Sequence, residues 1–336
     1  MFRRRYLWAT LLLLVFVLSS CVTQKKKDDK SALGKMYSNI TSKYNGYFNA
    51  NEIVKATTLS MELTHRDNYN QLLPLYIELT NENPQALAPD MDLAIEKLTR
   101  VVAINPQSQW ADDSYLLVAQ AQFYKQDYES AEKTLRYLVN NFDPVDIAKR
   151  EAESKARRDK KKTSKKKKKK KKKQSAKKKR RKYLREKKKR KKGKGKAAQN
   201  KKEDIAETKK AELEAARKAE SKFEEPNNYG LKHRPAFQEG QLLLARTLIE
   251  RDNFDAALRF MNNLNQNPKI YDDVVPQASK ALAYYYIYRK DLSSAIAPLE
   301  AAISSYKGQK GKARLAFILA QIYERTGNGA KAFTTG

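Results

Sequence analysis

The sequence predicts an all-α solenoid: antiparallel helix pairs stacked in two lobes, with a disordered lysine-rich insert between the lobes. Three observations carry that prediction. Alanines that open the second helix of each pair (Ala94, Ala131, Ala257, Ala295 and Ala332) recur at intervals of 37, 38 and 37 residues on either side of one long interruption. Twelve residues before four of them stands another alanine, at Ala119, Ala245, Ala283 and Ala320. No alternation of apolar and polar residues lasts long enough to build a sheet.

Residues 1–20 read as an export signal. Arg3–Arg5 precede an apolar run, Tyr6–Leu18, which is shorter than the roughly 20 residues a membrane span needs. Leu18-Ser19-Ser20-Cys21 resembles the lipobox of bacterial lipoproteins, with the chain's single cysteine where the lipid is attached. The alternative is an ordinary signal peptide that happens to contain a cysteine. Each buried acyl CH₂ contributes ~0.8 kcal/mol and one chain binds only marginally; the several chains of a lipoprotein anchor permanently. Residues 21–35 then form a polar tether containing Lys25-Lys26-Lys27-Asp28-Asp29-Lys30. Its Lys27-Asp28-Asp29 resembles short acidic signals for export to the cell surface. The expected location is the outer membrane, lipid-anchored and facing the periplasm, with surface exposure as the alternative.

The first lobe is expected over residues 36–145 and the second over 236–336. Helices meet closely only where side chains are small, so matched alanines mark the crossing points. Before each first-helix alanine comes an apolar residue: Val118, Leu244, Leu282 and Leu319. Further apolar or small residues follow the second-helix alanines: Leu98 and Val101, Leu135 and Leu138, Met261 and Leu264, Leu299 and Ala302. A single pair cannot bury this stripe alone and must stack on its neighbours. Leu282, Ala283, Tyr286, Ala295, Leu299 and Ala302, and again Leu319, Ala320, Tyr323 and Ala332, resemble the tetratricopeptide repeat. The unit is longer than the usual ~34 residues, and the surplus belongs in turns. Asn105-Pro106, Asp143-Pro144 and Asn267-Pro268 end helices. Two departures stand out. The first unit has no regular first helix, because Glu82 takes the small position and Pro74, Pro84 and Pro89 interrupt the segment; Pro298 lies within a second helix, where a kink is expected. The last helix has only begun at Gly336, the pattern of a truncated product or fragment.

The formal charge of +32 belongs to one place. Residues 149–202 hold 34 of the 70 Lys and Arg but 4 of the 38 Asp and Glu, leaving 36 cations against 34 anions elsewhere. Lys165–Lys173 is unbroken, and like charges at i,i+4 oppose a helix. Residues 146–202 are therefore expected to be disordered, and 203–225 to form a charged helix through Ile205, Leu213, Ala216 and Phe223. The tract is either a solvated spacer or a binder of polyanions such as lipopolysaccharide, anionic lipid or acidic protein. Nucleic acid is not the expected partner of an exported chain, and Tyr183 is the only aromatic residue from 149 to 202.

No chemistry is legible. His65 and His233 are the only histidines and are isolated, which disfavours metal sites and catalytic triads. No cofactor or small-molecule substrate is expected. Partner binding is instead expected in a groove lined by first-helix residues one, four and five places after the small residue. These are Gln120, Phe123 and Tyr124; Arg246, Ile249 and Glu250; Tyr284, Ile287 and Tyr288. Tyrosine suits recognition because it joins a broad apolar ring to a hydrogen-bonding tip. Tyr284 and Tyr288 either line the groove or pack on the adjacent repeat, and Tyr286 packs.

A sharper resemblance lies in the order of motifs from Thr41-Ser42-Lys43-Tyr44-Asn45-Gly46-Tyr47-Phe48-Asn49-Ala50 through Arg66-Asp67-Asn68-Tyr69 and Leu72-Leu73-Pro74-Leu75 to Trp110-Ala111-Asp112-Asp113-Ser114-Tyr115 and Phe123-Tyr124-Lys125-Gln126-Asp127-Tyr128. With the lipobox, this order resembles the SprE/PorW family of Bacteroidota lipoproteins of gliding motility and the type IX secretion system. The resemblance covers about residues 18–145. It implies a non-enzymatic outer-membrane scaffold that binds secretion or motility proteins. The Tyr44–Asn49 block either docks a partner or caps the open end of the solenoid.

Overall fold

The computed structural model of the protein describes residues 32–80, 84–164, 214, 215, 217, 218 and 233–335. Cys21, most of the lysine-rich insert and nearly all of the expected helix at 203–225 lie outside these residues. Among the described residues every regular element is helical. In order they are α1 (Ala32–Thr41), a π-wound stretch (Ser42–Tyr47), α2 (Phe48–Thr64), two short 3₁₀ turns (Ile77–Thr80 and Pro84–Leu87), α3 (Ala88–Ile104), α4 (Ala111–Tyr124) and α5 (Tyr128–Asn141). Then come α6 (144–164), α7 (Phe237–Glu250), α8 (Phe254–Asn265), α9 (Val275–Tyr288), α10 (Leu292–Ser305), α11 (Gln309–Arg325) and α12 (Gly329–Thr335).

Two compact units divide the chain. The first runs to Asp127 but leaves out Tyr69–Leu75; the second takes Tyr69–Leu75 and everything from Tyr128. The division therefore falls between Asp127 and Tyr128, not at the lysine-rich insert. The reason is packing. Helix α5, before the insert, lies directly on α7, after it. Gly240 of α7 makes room: a Cβ there would sit 2.4 Å from Leu138 Cδ2.

In the first unit α3 packs on α2, on the π-wound stretch and on α4. The expectation that the first repeat lacks a regular first helix is met by substitution. The segment with Pro74 and Pro84 stays irregular, and α2 takes the place beside α3. In the second unit the chain stacks by neighbours: α7 on α8, α8 on α9, α9 on α10, α10 on α11 and α11 on α12. That is the order a solenoid requires.

The alanine ruler is the core. Ala94, Ala131, Ala257 and Ala295 are fully buried, as are Ala119 and Ala283, and Ala245 nearly so. Leu98, Leu135, Met261 and Leu299, four places beyond the anchors, are also fully buried. Each such leucine or methionine contributes about 1.5–3 kcal/mol by leaving water. Ala320 and Ala332, in the last pair, are half-buried.

The turns repeat too. Seven residues after each first-helix alanine the backbone enters the left-handed region: φ is 60° at Gln126, 56° at Asp252, 62° at Lys290 and 80° at Gly327. The amide one residue later reaches back to Gln122 O at 3.0 Å, Leu248 O at 2.8 Å, Tyr286 O at 2.9 Å and Tyr323 O at 2.8 Å. This is the Schellman closure, which satisfies orphan carbonyls at a helix end. Asp291 then caps α10, its Oδ1 accepting from Ser294 N at 3.1 Å.

Pro298 lies inside α10, which runs as one helix from Leu292 to Ser305. One local expectation changes. Residues 144–164, placed largely in the disordered insert, are helical. Acids are still interleaved there: Lys149 pairs with Asp146 at 3.3 Å, and Asp143 Oδ1 caps the start by accepting from Val145 N at 2.8 Å.

Candidate functional site

In the first unit, α2 and α4 leave a groove of about 370 Å³ between them. Asn51, Val54, Thr58 and Leu59 line it from α2, and Leu117, Gln120 and Tyr124 from α4; Lys55 and Glu62 add one charge of each sign. Gln120 Nε2 donates to the Tyr124 hydroxyl at 2.7 Å. Leu59 is 56 % exposed, so the groove offers an apolar wall beside a polar one.

Phe123 does not belong to this surface. It is fully buried, with its ring edge-on to Tyr124 at 6.3 Å. Ile249, the same place in α7, is fully buried as well. The position four after the small residue thus turns inward in both helices. One and five after it, 400° of helix apart and so about 40° offset, share a face, and in α4 that face lines the groove, with Tyr124 itself largely buried.

In the second unit the expected residues come together. The Tyr284 hydroxyl donates to Glu250 Oε1 at 2.5 Å, and Tyr284 and Tyr288 stack edge-on at 5.9 Å. Tyr288 also lies 5.9 Å from Phe254 and is 38 % exposed. Burial pushes the Glu250 carboxyl up, against the opposing pull of the Tyr284 hydrogen bond and the Arg246 charge. Burial, then Glu250, raise the Tyr284 phenol far above its ordinary range. Tyr128, which closes the Phe123–Tyr128 motif but is not among the expected groove residues, feels Glu250, Tyr288 and Arg246 and is also raised, chiefly by burial. Nucleophiles and general bases need pKa values matched to the task, and phenols held protonated serve as hydrogen-bond donors. Tyr285 is the ring that packs most deeply, 2 % exposed, whereas Tyr286 is only half-buried.

The second unit holds one further arrangement. Residues Tyr69–Leu75 lie against α11. Leu73 N donates to Gln321 Oε1 at 3.0 Å, and Gln321 Nε2 donates to Gln71 O at 2.9 Å. Arg314 Nη2 donates to Pro74 O at 3.1 Å, and Tyr69 meets Phe317 edge-on at 5.6 Å. Gln321 follows Ala320, so it occupies the same repeat position as Gln120, Arg246 and Tyr284. A first-helix face of this solenoid therefore already grips a non-helical segment by its backbone. Leu72-Leu73-Pro74-Leu75 is visible as a motif, but nothing local names a partner 248 residues away.

The Tyr44–Asn49 block lies in the π-wound stretch and the start of α2. Gly46 faces α3 so closely that a Cβ would stand 2.0 Å from Val101 Cγ2. Tyr47 meets Trp110 at 5.1 Å, and Lys43 Nζ lies 5.0 Å above the Trp110 ring. Asn39 Oδ1 accepts from Gln109 N at 3.1 Å. His65 is held locally, with Nε2 2.9 Å from Asp67 Oδ1 and Nδ1 3.1 Å from Thr80 Oγ1. No helix among the described residues is long and apolar enough to cross a membrane. No protein-family model and no curated protein matches the chain.

Proposed function

We propose that this protein is a non-enzymatic scaffold, anchored to the outer membrane through Cys21, that holds protein partners of the type IX secretion and gliding machinery on its helical repeats. One observation carries the binding part of this reading: Gln321 clasps the backbone of Gln71 and Leu73 through both ends of its amide. Backbone recognition of an extended segment is what a scaffold asks of such a face. Gln120 stands at the corresponding position, with Tyr124 four residues on, in a groove of about 370 Å³. The Tyr284–Glu250–Tyr288 cluster adds aromatic area with hydrogen-bonding tips, the usual composition of contact hot spots. The anchor and the assignment to secretion rest on the lipobox and on the SprE/PorW-like motif order.

Crosslinking in intact cells from photoreactive residues at Gln120 and Tyr288 tests it. Secretion or motility proteins as neighbours are the expected result; cytosolic neighbours alone would overturn it. Cys21→Ser is expected to release the protein from membranes. A second reading, binding of lipopolysaccharide, anionic lipid or acidic protein, is favoured by the concentration of 34 cations in residues 149–202. Removing residues 165–196 separates the two: secretion survives under the first and fails under the second.

A further inference from the structure

Helix α1, the π-wound stretch and the start of α2 are amphipathic the wrong way round for a helix that packs on protein. The residues turned inward are small: Ser38 at 5 % exposure, Ser42 at 1 % and Ala50 at 0 %, with Gly46 buried against Val101. The large apolar residues two places earlier point out: Met36 is 60 % exposed, Ile40 45 %, Tyr44 58 % and Phe48 50 %, and Tyr37 beside them is 71 % exposed. Residues four apart on an α-helix drift about 40° per step. The wider π turn from Ser42 to Tyr47 takes that drift back, so both stripes stay straight. The small stripe lets the π-wound stretch and the start of α2 approach α3 closely. The large stripe is left as a continuous apolar edge, of the kind that marks a membrane or protein contact.

What covers this edge is indicated by where it sits in the chain. It begins fifteen residues after Cys21, and at most ~3.5 Å per residue separates them. The intervening segment carries Lys25, Lys26, Lys27, Lys30 and Lys35 against Asp28 and Asp29. We propose that the Met36–Ile40–Tyr44–Phe48 stripe lies in the lipid–water interface of the bilayer that holds the Cys21 anchor, so that the first helix rests on the membrane instead of standing off it. Tyrosine suits that depth, because its ring enters the apolar region while its hydroxyl stays wet. The inference rests on the lipid-anchor reading.

The test uses the acylated full-length protein in phosphatidylcholine vesicles at high salt, where the lysine tract is screened. An environment-sensitive fluorophore is placed at Ile40→Cys and, as a control, at Lys133→Cys on α5; both positions are exposed. Flotation of the vesicles reports the anchor; quenching by shallow nitroxide lipids reports the stripe. The expected result is co-flotation, a blue shift at position 40 and several-fold stronger lipid quenching there than at position 133. Co-flotation with equal quenching at both sites would overturn the interfacial helix and leave the anchor standing. Failure to float would overturn the anchor and the inference with it. A probe at position 40 shielded from both lipid nitroxide and aqueous iodide would show the stripe buried against a second copy, which also overturns it.

Discussion

At position 290 a lysine holds φ at 62°, a conformation an L side chain adopts at a cost of about 1–2 kcal/mol. Gln126 and Asp252 do the same, and only the last of the four turns uses glycine, at Gly327. Lys290→Gly removes that strain but adds roughly 0.5–1 kcal/mol of unfolded-chain entropy. The expected net is a gain of up to about 1 kcal/mol in chemical denaturation; a loss would mean the Lys290 side chain carries an unseen contact. Gly46 gives the opposite case. Gly46→Ala places a methyl 2.0 Å from Val101 Cγ2, and overpacking of this kind costs about 1–3 kcal/mol. Val101→Ala should recover part of that loss in the double variant, which a cycle of melts would measure. Glu250 supplies a pH dependence. Because burial raises its carboxyl, the folded state takes the proton more readily than the unfolded chain. Its stabilising contribution is therefore complete below the ordinary carboxyl range and is lost as pH rises through the elevated folded value. Glu250→Gln keeps an acceptor for Tyr284 and cannot ionise. Its melting temperature should exceed the parent's at neutral pH and converge with it in acid.

At the scale of single elements, the segment Tyr69–Leu75 shows what holds an irregular stretch in place. Leu73 and Leu75 are 4 % and 5 % exposed, and the amide of Gln321 satisfies a backbone donor and acceptor between them and Gln71. Gln321→Ala would leave both groups unpaired, at about 1–3 kcal/mol if they stay buried. Hydrogen exchange at the Leu73 amide is expected to accelerate well beyond any change in α8 or α9; uniform acceleration would instead mean the whole unit had loosened. Such a contact also marks the limit of sequence reading. The alanine spacing was enough to place Ala94, Ala131, Ala257 and Ala295 in the core, because close helix crossing dictates residue size directly. Of the residues expected in the groove, Gln120 and Tyr124 line one pocket and Tyr284 touches both Glu250 and Tyr288, whereas Phe123 and Ile249 turn inward, since a 100° step separates adjacent positions and small errors of register exchange core for surface. The inverted stripe of α1 was not legible. Apolar residues at helical spacing normally face the core, and only the close approach at Gly46 shows that the small residues win that side. Residues 144–164 are helical against expectation because Asp146, Glu151, Glu153 and Asp159 are gathered at the start of the tract, a local pattern that the cationic composition of the whole insert hides.

For the whole molecule, the decisive quantity is the separation of charge from structure. Outside residues 149–202 the chain carries 36 cations and 34 anions, so the repeats themselves project little net field. Long-range attraction to anionic surfaces therefore belongs to the tract, and with a Debye length of ~8 Å at physiological salt it is strongly screened. Burial of Leu135, Leu138, Leu244 and Leu248, by contrast, is not weakened by charge screening. Because α5 and α7 pack directly on each other across the insert, the tract is not needed to join them. Its deletion shortens the connection between them, and connection length costs only ~0.6 kcal/mol per doubling for a flexible chain. Removing residues 165–196 is thus expected to leave the helical circular dichroism and the cooperative melt intact, or slightly stabilised. Binding to anionic vesicles should fall sharply and lose most of its salt dependence. If the melt instead broadened or split, the tract would have to organise the packing of α5 on α7, and the view of the insert as an excursion from a continuous repeat stack would fail.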